Sequence, residues 1–464
     1  MKHPFHQILL YEIDSRIFCS EKKMSLFEGI HFFLNSHVGS LANEIWCMGI
    51  WKNSKKSGEI ARTERSLMPE FLLANPNLLP SDVYGSPYSI FDYEPDPLVS
   101  DLEGLRSTYD LLCAKQKKLI LDFVPNHMAI DSILIEKYPE LFLKANDTIL
   151  NQNKFQHPNG FIYAHGRDPF FNGWTDTIQW DFSNPNVETL HIEILKKIST
   201  YCDGVRCDMA MLPLLNVFKK TFNRASNYHW DKVIGEVKKY KPDFKFYAEV
   251  YWGLENELIN LGFDGTYNKN FYDNLEKREY DLVFSEFHSE TKSLEKKIFF
   301  IENHDEKRAF TQFGENLKNY FALICFLPGI HLFHQGQEFG FKTKIPVQLI
   351  RTKKEENNES VHSFYQRVFL ILKRRDKTTF LITPNYSEIN QRHILIRILK
   401  STDQTELFIW NPNTTEVSGW IPYENGIHYK NTLIEEISNQ SFAQPKKEQM
   451  YFYLKPGEAQ WFIF

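Results

Sequence analysis

Eight short apolar runs, each closing on polar, charged or aromatic residues and each followed by a longer stretch of helical periodicity, constrain this chain more than any other feature. They are ILLYEIDSR (8–16), EIWCMGIW (44–51), KLILDFVPNH (118–127), GVRCDMA (204–210), KFYAEVY (245–251), FDGTYNK (263–269), KIFFIENHD (297–305) and GIHLFHQGQ (329–337). Repeated strand-then-helix units build a parallel sheet, and eight of them with chemistry collected at strand C-termini predict an α/β fold, a closed (β/α)8 TIM barrel. Two excursions break the alternation. Residues 128–180 are too long for an ordinary connection and predict a subdomain inserted after strand three, and residues 52–97 form a second excursion. From about residue 378 the pattern turns to short alternating strands (HILIRIL, ELFIWNP, QMYFYL, EAQWFIF), which predict a separate antiparallel β-domain. The expected division is a catalytic barrel over 1–377, carrying 128–180 as its insert, and a C-terminal domain over 378–464. The run KTKIPVQLIRTKKEENNES reads as a solvated connection.

Charge narrows the partners. Lys+Arg 54 against Asp+Glu 59 gives a net charge of −5, with no basic run able to track a phosphate backbone, so nucleic acid is not expected. The aromatic excess (Phe 39, Tyr 22, Trp 9) suits stacking on the apolar faces of sugar rings as well as plain core packing. The six cysteines are scattered without ligand or pair spacing, the N-terminus lacks a signal-like apolar core, and no apolar run reaches 18 residues. The expectation is a cytoplasmic protein without a membrane partner.

Four segments carry the candidate chemistry. In Gly204–Ala210, alternation puts Arg206, Asp208 and Ala210 on one face, and Arg206 beside Asp208 is expected to keep that carboxylate ionised and low in pKa, as a nucleophile needs. A purely structural ion pair fits the same segment. Glu249 ends a strand among aromatic and apolar residues, surroundings that raise a carboxyl pKa and suit a general acid. In the segment ending Asn303-His304-Asp305, Asp305 adds a negative charge near an oxocarbenium-like transition state and His304 can donate to a sugar hydroxyl. Glu302 and Glu306 are read as capping or solvent-facing. In Asp122-Phe123-Val124-Pro125-Asn126-His127, Asp122 and Asn126 brace loop backbone while His127 faces the pocket, although a satisfied structural histidine fits equally. Neighbouring strands lie about 4.8 Å apart, so Asp208 and Glu249 should stand at the roughly 5 Å separation of retaining glycosidases.

Together the four segments resemble the signature regions of the α-amylase superfamily, DxxxNH, GxRxDxA, a Glu-ending strand and xxNHD, in order along the chain. Gly85-Ser86-Pro87-Tyr88-Ser89-Ile90-Phe91-Asp92-Tyr93, Gln179-Trp180-Asp181 and Leu327-Pro328-Gly329-Ile330 with Gly336-Gln337-Glu338 extend the resemblance. It implies that Asp208 attacks the anomeric carbon, that Glu249 is the acid/base, and that Asp305 stabilises the distorted ring. It further implies that Tyr88 stacks beneath the sugar while Arg206, His127 and His304 supply hydrogen bonds. Ser89 stands where exo-acting α-glucosidases of the family usually carry Asp, and Met211-Leu212 where calcium-binding amylases commonly carry Lys-His, so no metal and no cofactor are expected. The implied activity is hydrolysis of α-glucosidic bonds in oligosaccharides or small α-glucosides. Transglycosylation or isomerisation through the same intermediate, and a catalytically silent binding relative, are the alternatives.

Overall fold

The computed structural model of the chain describes residues 3–145, 149–289, 291–376, 378–382, 387–388, 394–423, 427–444 and 448–464. Eight parallel strands close into a barrel: β1 (Gln7–Asp14), β2 (Glu44–Met48), β3 (Lys118–Phe123), β4 (Gly204–Cys207), β5 (Lys245–Ala248), β6 (Gly265–Tyr267), β7 (Lys297–Phe299) and β8 (Gly329–His334). Every one of the eight apolar runs supplies one of them. The two-residue period sorts their side chains: Leu10, Trp46, Ile120, Tyr247, Tyr267, Ile298 and Ile330 fill the interior, while Ile13, Cys47, Leu121, Val205, Phe246 and Phe299 pack outward against the helices. Each such side chain, fully buried, contributes about 1.5–3 kcal/mol, so the barrel is a packed core rather than a channel.

The helices follow local rules. The helix Pro185–Ile198, which leads from the insert into β4, starts with Asn184 accepting from Asn186 N and with Pro at its first position, and it ends on Lys196 and Lys197. It buries Val187, Leu190, Leu195 and Ile198.

Strands at the functional end are shorter than their apolar runs. β4 stops at Cys207, and Met209 takes a left-handed backbone (φ 42°). The alternation that would join Ala210 to Arg206 and Asp208 therefore does not extend past the strand: Ala210 belongs to the same buried apolar cluster as Val205 and Cys207. Alternation ends where the ladder ends.

The insert closes at its base. His127–Ala129 pairs antiparallel with Thr177–Gln179, Lys154–Gln156 pairs with Ile162–Ala164, and Phe142 stacks on Trp180 at 4.1 Å. Within the other excursion, Trp51–Asn53 pairs with Ile90–Pro95. The turn leading to Tyr88 requires Gly85: its φ is +105°, and a Cβ there would stand 2.6 Å from Gly58 N. The segment expected to be a solvated connection is instead pinned to this excursion. Leu349 is fully buried and bridges Val83, Tyr84 N donates to Gln348 O, and Arg351 pairs with Asp82 at 2.6 Å. Leu349, the Gln348 carbonyl and Arg351 together dock it.

The C-terminal part is antiparallel. A seven-stranded sheet runs His3–Pro4, Phe380–Ile382, Leu395–Lys400, Thr405–Trp410, Ala459–Ile463, Thr432–Glu435 and Gln440–Ala443, beside a three-stranded sheet of Ser387–Glu388, Val417–Pro422 and Gln449–Leu454. The chain's own N-terminal strand thus sits at the edge of the C-terminal sheet. Arg375 fastens that sheet to the barrel, donating to both carboxylate oxygens of Glu406 and to Gln7 and Cys325 O, all at 2.7 Å. Residue 377, the expected boundary, and His393, the first residue of the HILIRIL run, lie outside the described residues.

Candidate active site

Asp208 and Glu249 each follow directly on the last residue of their strand, in register across the β4–β5 ladder: Arg206 faces Tyr247, Cys207 faces Ala248, and Glu249 N donates to Cys207 O. Arg206, buried and ringed by Trp46, Tyr88 and Tyr267 at 5.2–5.6 Å, holds both acids. Its Nη1 donates to Asp208 Oδ1 at 2.7 Å and its Nη2 forms an ion pair with Glu249 Oε2, also at 2.7 Å. Glu249 gains two further donors, Met209 N on Oε2 at 2.8 Å and the Tyr251 hydroxyl on Oε1 at 2.7 Å.

This geometry corrects the expected electrostatics. Burial and the negative charge of Glu249 push the Asp208 carboxyl up to about 8, against the opposing pull of Arg206. One guanidinium shared between two buried carboxylates cannot hold both as firmly as it would hold one. The sequence expected a lowered value on Asp208; burial and Glu249 raise it instead.

Asp305 lies beside them, at the rim, with its side chain 45% exposed. His304 Nε2 is 3.0 Å from Asp305 Oδ2 and 2.7 Å from the Tyr88 hydroxyl, and its Nδ1 contacts Glu12 Oε1. Burial disfavours charge on His304, but Asp305 and Glu12 outweigh it and hold the imidazole well above its usual range. Burial likewise pushes Asp305 up, and His304 and Arg206 reverse the sign, keeping it below the ordinary carboxylate range. Tyr88 is half-buried, with its ring 5.6 Å from that of His304.

His127 is buried, packs at 5.1 Å on Trp174 of the insert, and is held neutral, its pKa pulled down to about 3 by burial. Asp122 braces backbone as expected, accepting from Trp46 Nε1 at 3.0 Å and Gly49 N at 2.8 Å. The Asn126 side chain instead accepts from the Gln179 side chain, Nε2 at 3.0 Å, rather than from loop backbone. Ser89 is fully buried and donates to Asp176 O. Glu302 is a cap, accepting from Ala309 N at 2.6 Å, but it is buried with Arg308 and His334 rather than facing solvent; Glu306 pairs with Lys269 at 3.1 Å.

Sequence reasoning missed Glu12, Tyr251 and Lys344. Glu12 was visible as a charged residue on the inward face of β1, in step with Leu10. Tyr251, two residues past Glu249, shares its side of the strand. Lys344, whose ammonium contacts Asp305 O, comes from the docked connection and carried no local signal. Among the described residues no group of three or more His, Cys, Asp or Glu side chains is arranged to hold a metal ion, and no helix is long and apolar enough to cross a membrane.

Comparison with known proteins agrees with this architecture. Residues 213–381, a stretch that includes Glu249 and Asp305 and begins after Asp208, match the family model described as alpha amylase, catalytic domain. No curated protein matches the sequence. Solved structures similar over 98% of both chains include a noncanonic maltogenic α-amylase from Thermotoga neapolitana (19% identity, TM-score 0.68), an α-amylase from Lactobacillus plantarum (18%, 0.66) and a trehalose-6-phosphate hydrolase from Bacillus licheniformis (13%, 0.65). The family-model match covers part of the chain, and the barrel, insert and β-domain in one chain are the fold of these solved structures, so the chain is similar to α-amylase-type proteins in architecture.

Proposed function

We propose that the protein is a retaining glycoside hydrolase that cleaves α-glucosidic bonds, with Asp208 as nucleophile, Glu249 as general acid/base and Asp305 as the third essential carboxylate. The observation that carries the reading is the single Arg206 guanidinium, 2.7 Å from both Asp208 and Glu249 on adjacent strand ends. Two carboxylates that share one guanidinium on adjacent strand ends stand close together, an arrangement that supports a covalent glycosyl intermediate over a water admitted between them.

The raised Asp208 carboxyl has a use. With a sugar seated, Asp208 must be ionised to attack and Glu249 protonated to release the leaving group, so the proton has to move from one acid to the other. Asp305, charged and reaching into the opening, stabilises the positive charge that builds at the anomeric carbon and binds ring hydroxyls. His304, positively charged and fixed by Glu12, donates to a sugar hydroxyl, as Arg206 does. Tyr88 supplies the stacking face, and neutral His127 offers one donor and one acceptor.

The carbohydrate class is supported by the match to the alpha amylase catalytic-domain model and by similar structures described as a maltogenic α-amylase and a trehalose-6-phosphate hydrolase. We further propose residues 1–377 as the catalytic unit with 128–180 as its insert, 378–464 as the β-domain, and a cytoplasmic setting, on the scattered cysteine spacing. Incubation with maltose, trehalose, trehalose 6-phosphate and maltooligosaccharides tests the reading: at least one is cleaved, and Asp208→Asn, nearly isosteric, lowers turnover by several orders of magnitude while the protein stays folded. Retention of most activity in that variant would refute the nucleophile assignment. Transfer of the glucosyl unit to a second sugar in place of water would redirect the reading to a transglycosylase.

A further inference from the structure

Inside a barrel filled by apolar and aromatic side chains, Glu12 is a carboxylate with no exposure to solvent. An apolar side chain of similar volume would serve the fold as well or better there, so stability does not account for it. Glu12 faces His334 across the ladder of β8 with β1. Among the described residues its side chain makes one hydrogen bond, to His304 Nδ1, and its second oxygen, also buried, makes none. His334 is engaged elsewhere: Arg308 Nη1 donates to its Nδ1 at 2.6 Å, and Glu302 lies 3.1 Å from the same nitrogen. The other charges facing this interior are Arg206 from β4, Asp122 from β3 and Asp14 farther along β1. Arg206 is divided between Asp208 and Glu249, Asp122 accepts from Trp46 and Gly49, and Asp14 caps the following helix at Arg16 N and Ile17 N. Glu12 is thus left to one partner.

His304 is held from both sides. A carboxylate oxygen stands at hydrogen-bond distance from each ring nitrogen, Glu12 Oε1 at Nδ1 and Asp305 Oδ2 at Nε2, and the Tyr88 oxygen is 2.7 Å from Nε2. The edge-on contact with Trp46, at 5.5 Å between ring centres, fixes the plane of the imidazole. An ionised carboxylate only accepts, so each nitrogen has to carry a proton and the ring is an imidazolium. Burial opposes that charge, and the two acids outweigh it. The consequence runs outward: Nε2–H is shared by Asp305 and Tyr88, so the Tyr88 hydroxyl accepts there and keeps its own hydrogen for a different acceptor.

We infer that Glu12 is a positioning residue for the reaction, acting through His304: it sets the direction of a hydrogen-bond chain that runs from His304 to Tyr88 and Asp305, so that Nε2 presents a donor to the sugar. A sugar hydroxyl that takes over Nε2–H releases Asp305 for its own role, and neither the ring nor its protons have to rearrange at that moment. Donors fixed in advance in this way are what lower a barrier. The inference rests on the proposed function and adds to it a residue sealed from the sugar.

The first test needs no turnover. In nitrogen-labelled, ligand-free protein at about pH 8, proton–nitrogen correlation NMR of the His304 ring, identified by its loss in His304→Gln, should show both nitrogens protonated. A neutral ring in the native protein overturns the inference, whether or not any variant folds. In Glu12→Gln, which keeps the shape and removes the charge, the ring should be neutral at the same pH, because an imidazole that loses an anionic partner gives up its proton at lower pH. An imidazolium in both proteins would leave the charge to Asp305 alone and overturn the role of Glu12. The second test follows kcat/KM for an activated aryl α-glucoside against pH. Its falling limb should move down by at least about one unit in Glu12→Gln, a loss of about tenfold on the alkaline side. A lower rate with an unmoved limb would make Glu12 structural only. If the protein cleaves no glucoside, the proposed function fails while the NMR result still decides the inference.

Discussion

At the scale of single residues, the site is governed by how one guanidinium is divided. Arg206 is a buried cation with two buried anions, and the deficit falls on Asp208, whose carboxyl burial and Glu249 together push up to about 8. Glu249→Gln removes one of the three raising influences, leaving burial and Asp305, and keeps the lowering influence of Arg206, so Asp208 should ionise at lower pH. With an activated aryl α-glucoside, which needs little help from an acid, kcat/KM reports ionisation of the free enzyme's nucleophile. Its rising limb should move downward by at least about one pH unit in this variant. An unmoved limb would mean that Glu249 does not act on Asp208. This residue-scale result was only half legible beforehand. The identities of the acids and of Arg206 could be read from strand-end positions, but the raised Asp208 carboxyl comes from its burial and from the nearness of Glu249 on the next strand, which a linear pattern does not encode.

At the scale of elements, the strands were legible because a buried parallel strand must be a continuous apolar run, and its end is marked where polar residues begin. Their exact ends were not. Ala210 followed the turn at Met209 rather than the strand's alternation, and residues 342–358 docked through Leu349 although the run reads as solvated. Glu302 belongs here too. It caps the helix Ala309–Phe313 while neutralising buried Arg308, whose Nη1 lies 2.8 Å away, so the link from β7 to that helix depends on an ion pair sealed from water. Glu302→Gln keeps the shape and removes the charge, leaving Arg308 uncompensated, and should cost about 3–5 kcal/mol in unfolding free energy by denaturant titration. A loss below about 1 kcal/mol would show that Arg308 finds another partner.

At the scale of the whole molecule, the barrel, insert and β-domain divide the labour. The closed strands align Asp208 and Glu249, the insert brings Trp174 onto His127 and Phe170 onto Trp252, and the connection after β8 returns Lys344 to Asp305. The order of these parts was legible from the spacing of the apolar runs. Their convergence was not, because Glu12 and His304 are 292 residues apart in sequence and adjacent only through closure of the barrel. That closure is also what brings the two acids within reach of a single sugar, and the stereochemistry of the product reports it. Following maltopentaose cleavage by proton NMR within the first minutes, before mutarotation, reads the configuration of the newly formed reducing end. The α-anomer is expected, from two displacements at one carbon; the β-anomer as first product would contradict the covalent role of Asp208.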